Sequence, residues 1–195
     1  QNAALVEEAT AAARSMEEQA QALADAVSTF RLDGHGSVAR LVQERARELA
    51  VAESLDNGKP IRESRDFDLP MAAAHFFYHA GWADKLAYAA PGRTLAPLGV
   101  IGQIIPWNFP LLMLAWKIAP ALAYGNCVVF KPAEVVPGSA WALADILHRA
   151  GLPAGVFNLV MGRGSDVGAV LLEDERIAGV SFTGSVGTGQ RVAAA

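Results

Sequence analysis

Asn108 stands in the middle of IIPWNFPLLML, the run from Ile104 to Leu114, with Pro106 and Pro110 on either side. A side-chain amide carries N–H donors, and one held at the end of an apolar passage can donate to an oxygen on which negative charge develops. A lone asparagine among apolar residues is equally well a structural group. In FKPAE, Lys131 and Glu134 flank Pro132 closely enough to face one side, offering a donor and an acceptor to the hydroxyls of a ribose. A surface salt bridge is the competing account. A carboxylate in that place repels a 2′-phosphate, which favours NAD over NADP. MGRGSDVG carries glycines at 162, 164 and 168, a spacing that lets a dinucleotide backbone approach closely when a strand precedes it and a helix follows. A plain glycine turn explains it as well. FTGS, from Phe182 through Thr183 and Gly184 to Ser185, leads into a helix, so the Ser185 hydroxyl and the N–H groups behind it can hold a pyrophosphate oxygen. An ordinary serine N-cap accounts for the same residues.

These groups need elements to bring them together. Four β-branched, apolar runs occur from Pro97 onward: GVIGQIIP (Gly99–Pro106), CVVFKP (Cys127–Pro132), VFNLVMG (Val156–Gly162) and GVSFTGS (Gly179–Ser185). Segments of helical character separate them. Strand and helix in alternation predict an α/β fold with a mostly parallel sheet covered on both faces. Ligands of open parallel sheets bind outside the carboxyl ends of the strands, so these ends should line one crevice, with Asn108 on its lip. After Asn108, Phe109, Met113 and Trp116 recur at i, i+4 and i+7 of the next helix, a single apolar face that is either core or a binding wall.

The half before this is helical. Leu23, Val27 and Phe30 repeat at helical spacing, and DGHG at Asp33–Gly36 breaks the first pair of helices. LDNGKP at Leu55–Pro60 ends the next helix. A third starts after DFDLP, where Asp68 can cap and Pro70 fits the first turn. It carries Phe76, Phe77, Tyr78 and Trp82, with His75 and His79 one turn apart. No acidic or cysteine partner sits near the two histidines, so they read as packing groups and no metal is expected.

With 195 residues, of which 52% are hydrophobic, the chain can bury a substantial core. Its net charge of −4 comes from mixed charges without long basic runs, which argues against nucleic acid or an anionic membrane as partner. No apolar run reaches the roughly 20 residues that span a bilayer, and the first residues do not form a secretory signal. The reading is a cytoplasmic protein. Its one cysteine, Cys127, begins a predicted strand and reads as packing.

GQIIPWNFPLLMLAWKIAPALAYGNCVVFKPAE, AGLPAGVFNLVMG and VSFTGSVGTG, in this order, resemble the NAD(P)-dependent aldehyde dehydrogenase superfamily over nearly all of residues 97–195. DNGKPIRESRD and HFFYHAGWA are similar to its N-terminal helices, most of all in bacterial members of the two-module type. The resemblance implies a Rossmann-like sheet over residues 97–195, preceded by helices over 1–96 that belong to the cofactor-binding domain. It implies that Asn108 stabilises the oxyanion formed when a cysteine thiolate adds to an aldehyde. Lys131 and Glu134 would hold the adenine-side ribose, and Gly184 and Ser185 the pyrophosphate. Ile104, Ile105, Pro106 and Trp107 would line the cofactor cleft, with Pro132, Phe182 and Thr183 in the matching motifs and Gly162 and Gly164 in the adenine-side loop. Phe109, Met113 and Trp116 would form the substrate tunnel.

The family's nucleophilic cysteine and general-base glutamate lie beyond FTGS, so the chain reads as about the first two-fifths of an enzyme, truncated before the catalytic domain and inactive alone. ADKLAYAAPGRTLA, between Trp82 and Pro97, is too short for the protruding hairpin through which most relatives assemble, which leaves a homo-oligomer open. The expected function is the cofactor-binding portion of an enzyme that oxidises an aldehyde to a carboxylic acid with NAD. The alternatives are a non-catalytic nucleotide-binding or scaffolding relative, and a structural module that uses the fold for protein contacts.

Overall fold

The computed structural model describes residues 38–195. The expectations for Leu23, Val27, Phe30 and Asp33–Gly36 lie outside the described residues. The described chain opens with α1 (Val38–Glu44) and α2 (Ala46–Asn57), and α2 ends where Gly58 turns left-handed and donates its N–H to Ser54. A helical stretch then runs without a break from Ile61–Glu63 through a π-helical segment, Ser64–Asp68, into α3 (Leu69–Ala80).

This corrects the expected start of the third helix. Asp68 has helical backbone angles and caps nothing; it is buried and bonds Lys59 instead. Pro70 cannot donate to the turn before it and its ring crowds that turn. The wider π turn immediately upstream is a usual way for a helix to absorb such a defect.

From Val100 the chain alternates strand and helix: β1 (Val100–Ile104), α4 (Pro110–Ala123), β2 (Cys127–Lys131), α5 (Gly138–Arg149), β3 (Phe157–Leu159), a π-helical turn (Gly164–Gly168) running into α6 (Ala169–Glu173), β4 (Ile177–Phe182) and α7 (Val186–Ala194). The strands form one parallel sheet in the order β3-β2-β1-β4. Two bounds differ from expectation. β3 keeps only three residues of the Val156–Gly162 run, because the chain turns away after Val160 N–H reaches the Phe130 carbonyl at 2.9 Å. β4 starts at Ile177 and stops at Phe182, so Thr183, Gly184 and Ser185 form the turn beyond it.

The chain winds outward from β1 through β2 to β3, then returns across the sheet to place β4 on the other side of β1. Right-handed crossovers put α4 and α5 on one face and the return through α6 on the opposite face, where α6 packs on β4. The core lies on the α4–α5 side. Val128 and Phe130 of β2 meet Leu111, Leu114 and Ile118 of α4 and Leu143, Ile146 and Leu147 of α5. Val38, Leu49, Leu69 and Phe76 of the first three helices close the same cluster. Between Gly81 and Gly99 the chain makes turns and one short helical segment, Leu86–Ala89, with no strand.

Candidate active site

The order of the sheet determines which chain ends meet. Ile104, the last residue of β1, pairs with Lys131 of β2 and with Phe182 of β4, so three carboxyl ends lie side by side. Two further bonds lock them beyond the strands: Ile105 N–H to the Lys131 carbonyl at 3.3 Å, and Thr183 N–H to the Ile104 carbonyl at 3.1 Å. The reversal in direction falls between β1 and β4, which is where a sheet of this kind opens a crevice. The chain after β1, Ile105 to Phe109, forms its lip.

Along this lip Ile105 is buried, Ile104 and Pro106 are partly covered and Trp107 is exposed. Asn108 occupies a bend and is half-buried, and its amide makes no hydrogen bond among the described residues. It is therefore no buried structural asparagine. Phe109 precedes the first turn of α4 and does not lie within the helix; its carbonyl takes the N–H of Met113 at 2.9 Å. The apolar face expected of Phe109, Met113 and Trp116 is divided accordingly. Met113 is in the core, whereas Phe109 and Trp116 reach the surface. Trp116 meets the edge of His75, whose ring stacks on His79 at 6.3 Å between centroids. Burial pushes both imidazoles below their ordinary range.

At the end of β2 the Lys131 ammonium is buried. It donates to the Pro132 carbonyl at 2.8 Å and lies 3.6 Å from the Glu134 carboxylate, which is half in solvent. The two residues thus form the ion pair that was the competing account of their spacing, with the ammonium buried and the carboxylate at the surface. The aliphatic stem of Lys131 also lies 4.0 Å from where a side chain on Gly168 would begin, so the glycine-rich loop after β3 abuts the end of β2. Gly162 has a φ of +148°, and a Cβ there would come within 2.4 Å of Val167. Gly164 faces open space.

Beyond β4, Ser185 caps α7, accepting from Thr188 N–H at 3.3 Å. The ordinary N-cap reading is thus realised. It leaves the N–H groups of Val186 and Gly187, which have no partner inside the helix, at the positive end of the helix dipole. A Cβ at Gly184 would stand 2.4 Å from Phe182 Cζ, so the ring would have to shift to admit one.

Two groups of residues escaped the sequence reading. The first is the last turn of α2 and the loop after it. Glu53, Asp56 and Asn57 share one face at i, i+3 and i+4, and each reaches the amino-terminal side of a crossover helix. Glu53 accepts from Leu111 N–H at 3.2 Å and from the Ser139 hydroxyl at 2.6 Å. Asp56 accepts from Gly138 N–H at 2.6 Å, and the Asn57 amide donates to the Trp107 carbonyl. Neither Phe109 nor Pro137, the N-cap residues of α4 and α5, has a side chain able to cap, so α2 supplies carboxylates from afar. Burial raises the Glu53 carboxyl above its usual range, against the lowering effect of Ser139, Lys59 and Leu111. Lys59 bridges Asp68 at 2.6 Å and Glu53 at 3.5 Å.

The second group is Lys117 on α4, whose ammonium crosses to the Ser181 hydroxyl of β4 at 2.7 Å. Its carbonyl takes the Gln103 amide at 2.9 Å, and burial pulls its amine down to about 8. A charged residue in an otherwise apolar helix was the available signal.

Cys127 lies at the other end of the sheet. It opens β2, opposite Val100, and burial pushes its thiol up. Four strand steps, about 13 Å, separate it from the edge that carries Lys131 and Asn108.

The aldehyde dehydrogenase family model matches residues 1–195. Acetaldehyde dehydrogenase 2 of Cupriavidus necator is 46% identical over 177 residues, covering 85% of this chain and 34% of its own. A long-chain-aldehyde dehydrogenase of an Acinetobacter species is 50% identical over 156 residues, covering 74% of this chain and 30% of its own. The solved NAD+ complex of an aldehyde dehydrogenase from Bacillus cereus superposes with a TM-score of 0.78 at 38% identity, over 88% of this chain and 36% of that one. The chain spans about a third of the length of the curated relatives it matches. A family match over the whole chain shows that the chain belongs to the aldehyde dehydrogenase family.

Proposed function

We propose that the protein carrying this chain oxidises an aldehyde to a carboxylic acid with NAD, and that residues 97–195 form the dinucleotide-binding core, with 1–96 as its helical annexe. The observation that carries this reading is the alignment of three strand ends, which sets the Asn108 amide, without a hydrogen bond among the described residues, on the same edge as the Lys131–Glu134 pair and the Ser185-capped start of α7. Membership of the family and the solved NAD+ complex of a relative support it.

The residues present fit a dinucleotide. A Cβ at Gly162 or Gly184 would collide with the side chain of Val167 or Phe182, so both turns keep a bare backbone. Lys131 and Glu134 offer one donor and one acceptor to a ribose, and the carboxylate disfavours a 2′-phosphate, hence NAD over NADP. The N–H groups at the start of α7 suit a pyrophosphate oxygen. Bound NAD would supply a hydride acceptor. Ile104, Ile105, Pro106 and Trp107 would wall its cleft, with Pro132, Phe182, Thr183 and Gly164 at the neighbouring turns. Asn108 donates an N–H to the substrate oxygen as it gains charge, an interaction stronger in the transition state than with the neutral carbonyl. Phe109 and Trp116, which reach the surface, would guide the aldehyde, whereas Met113 packs in the core behind them.

We place the attacking thiolate outside residues 1–195, because Cys127 lies at the wrong end of β2 and its burial disfavours the thiolate. Residues 1–195 alone are therefore expected to be inactive, and turnover that survived Cys127→Ser would contradict this. Calorimetric titration tests the cofactor assignment: NAD is expected to bind more tightly than NADP, and equal or reversed affinities would overturn it.

A further inference from the structure

We propose that Glu53 to Lys59, the last turn of α2 and the loop behind it, is the positioning device for the Asn108 amide. This rests on the reading of Asn108 as the oxyanion donor. Asn108 sits in a bend, outside both β1 and α4, so neither ladder nor helix bonds fix it. Its two neighbours are held instead. The Asn57 amide donates to the carbonyl of Trp107, the residue before it. The Lys59 ammonium lies 4.5 Å from the ring centroid of Phe109, the residue after it, where a cation is attracted to the ring face. Glu53 takes the N–H of Leu111 in the first turn of α4, so the helix that follows is anchored to the same segment.

The clamp is itself rigid. Asn57 belongs to the last turn of α2, and Lys59, its side chain 9% exposed, is fixed between Asp68 and Glu53. Trp107 is 59% exposed and its side chain cannot anchor the bend by burial. A donor that must meet a developing oxyanion is useful only where its rotamer and backbone are set by neighbours of this kind.

The test is a double-mutant cycle in the complete protein that carries this chain, reading kcat, KM and the dissociation constant for NAD. Asn108→Ala is expected to lower kcat by roughly 100-fold or more. Asn57→Ala, which removes the bond to the Trp107 carbonyl, is expected to lower kcat by roughly tenfold or more with unchanged NAD affinity. In the Asn108→Ala background the same substitution should change kcat less than about twofold, since a positioning residue has nothing left to position. Asn57→Asp, of the same shape but without the donor, should behave as Asn57→Ala and serves if the alanine variant folds poorly. An equal loss from Asn57→Ala with and without the Asn108 amide would overturn the proposal, as would a wild-type kcat in Asn57→Ala. A wild-type kcat in Asn108→Ala would instead overturn the oxyanion reading beneath it.

Discussion

The ammonium of Lys131 lies buried 3.6 Å from the Glu134 carboxylate, which is half in solvent. The asymmetry matters for a ligand. The lysine is buried and donates to the Pro132 carbonyl, whereas the half-exposed carboxylate can turn toward a bound hydroxyl.

Replacing Glu134 by alanine is therefore expected to raise the dissociation constant for NAD by about tenfold, the loss of one charge-assisted hydrogen bond. NADP should be affected less, because the repulsion of its 2′-phosphate disappears together with the acceptor. Titration calorimetry with both dinucleotides checks this, and an unchanged NAD affinity would remove the ribose assignment.

Glu53 is the structural counterpart of that exposed carboxylate. It is fully buried and bonds Ser139 and Leu111, so Glu53→Ala is expected to destabilise the fold by about 3 kcal/mol, as the removal of one partner from a buried charged cluster does. Its raised pKa sets the sign of a pH effect. Above the raised folded value the charge is buried at full cost; as the pH falls toward the ordinary carboxyl value of 4.5 the folded state takes up the proton first and gains stability. Denaturant titrations should show wild type gaining on Glu53→Gln over that interval, and parallel profiles would contradict the burial argument.

Gly184→Ala should disrupt the turn after β4, because the new methyl would stand 2.4 Å from the Phe182 ring. Weaker NAD binding and a loss of about 1–3 kcal/mol, the usual cost of overpacking, are expected. Adding Phe182→Leu should restore part of both. If the single variant binds NAD normally, the close approach has no functional consequence.

The same contrast between near and far explains how much could be read from the sequence. The crevice was legible because its parts are local: an apolar run followed by Trp107 and Asn108, by Lys131 and Pro132, or by Thr183, Gly184 and Ser185 shows both the strand and what lies at its end. The half-burial of Asn108 followed from that placement. The Glu53–Lys59–Asp68 cluster was illegible because its partners are distant. Nothing near Glu53 announces Leu111, 58 residues away, or Ser139, 86 away. Asp68 was misread as a cap for a related reason. The sequence Asp-Leu-Pro is a good helix start, yet the continuous helix from Ile61 and the buried Lys59 gave that carboxylate other work. Lys117 was passed over because its partner, Ser181, is supplied by another strand.

Lys117 gives a second pH effect, of opposite sign to that of Glu53. Burial lowers its folded pKa to about 8, against 10.5 for an ordinary lysine. Below 8 both states are protonated and the cost of burying the ammonium is fully present; between 8 and 10.5 the folded state releases its proton first, so stability rises. Wild type should gain on Lys117→Met over that interval in denaturant titrations. A constant difference would show that the ammonium is better solvated than its surroundings indicate.

The central claim is that the Asn108 amide stabilises an oxyanion at the carboxyl edge of this sheet. It is tested most directly by the turnover of Asn108→Ala in the complete protein, with NAD affinity measured on the same preparation. A fall in kcat of roughly 100- to 1,000-fold with unchanged NAD affinity is the predicted result. Wild-type turnover, or a loss traceable entirely to weaker NAD binding, would contradict it.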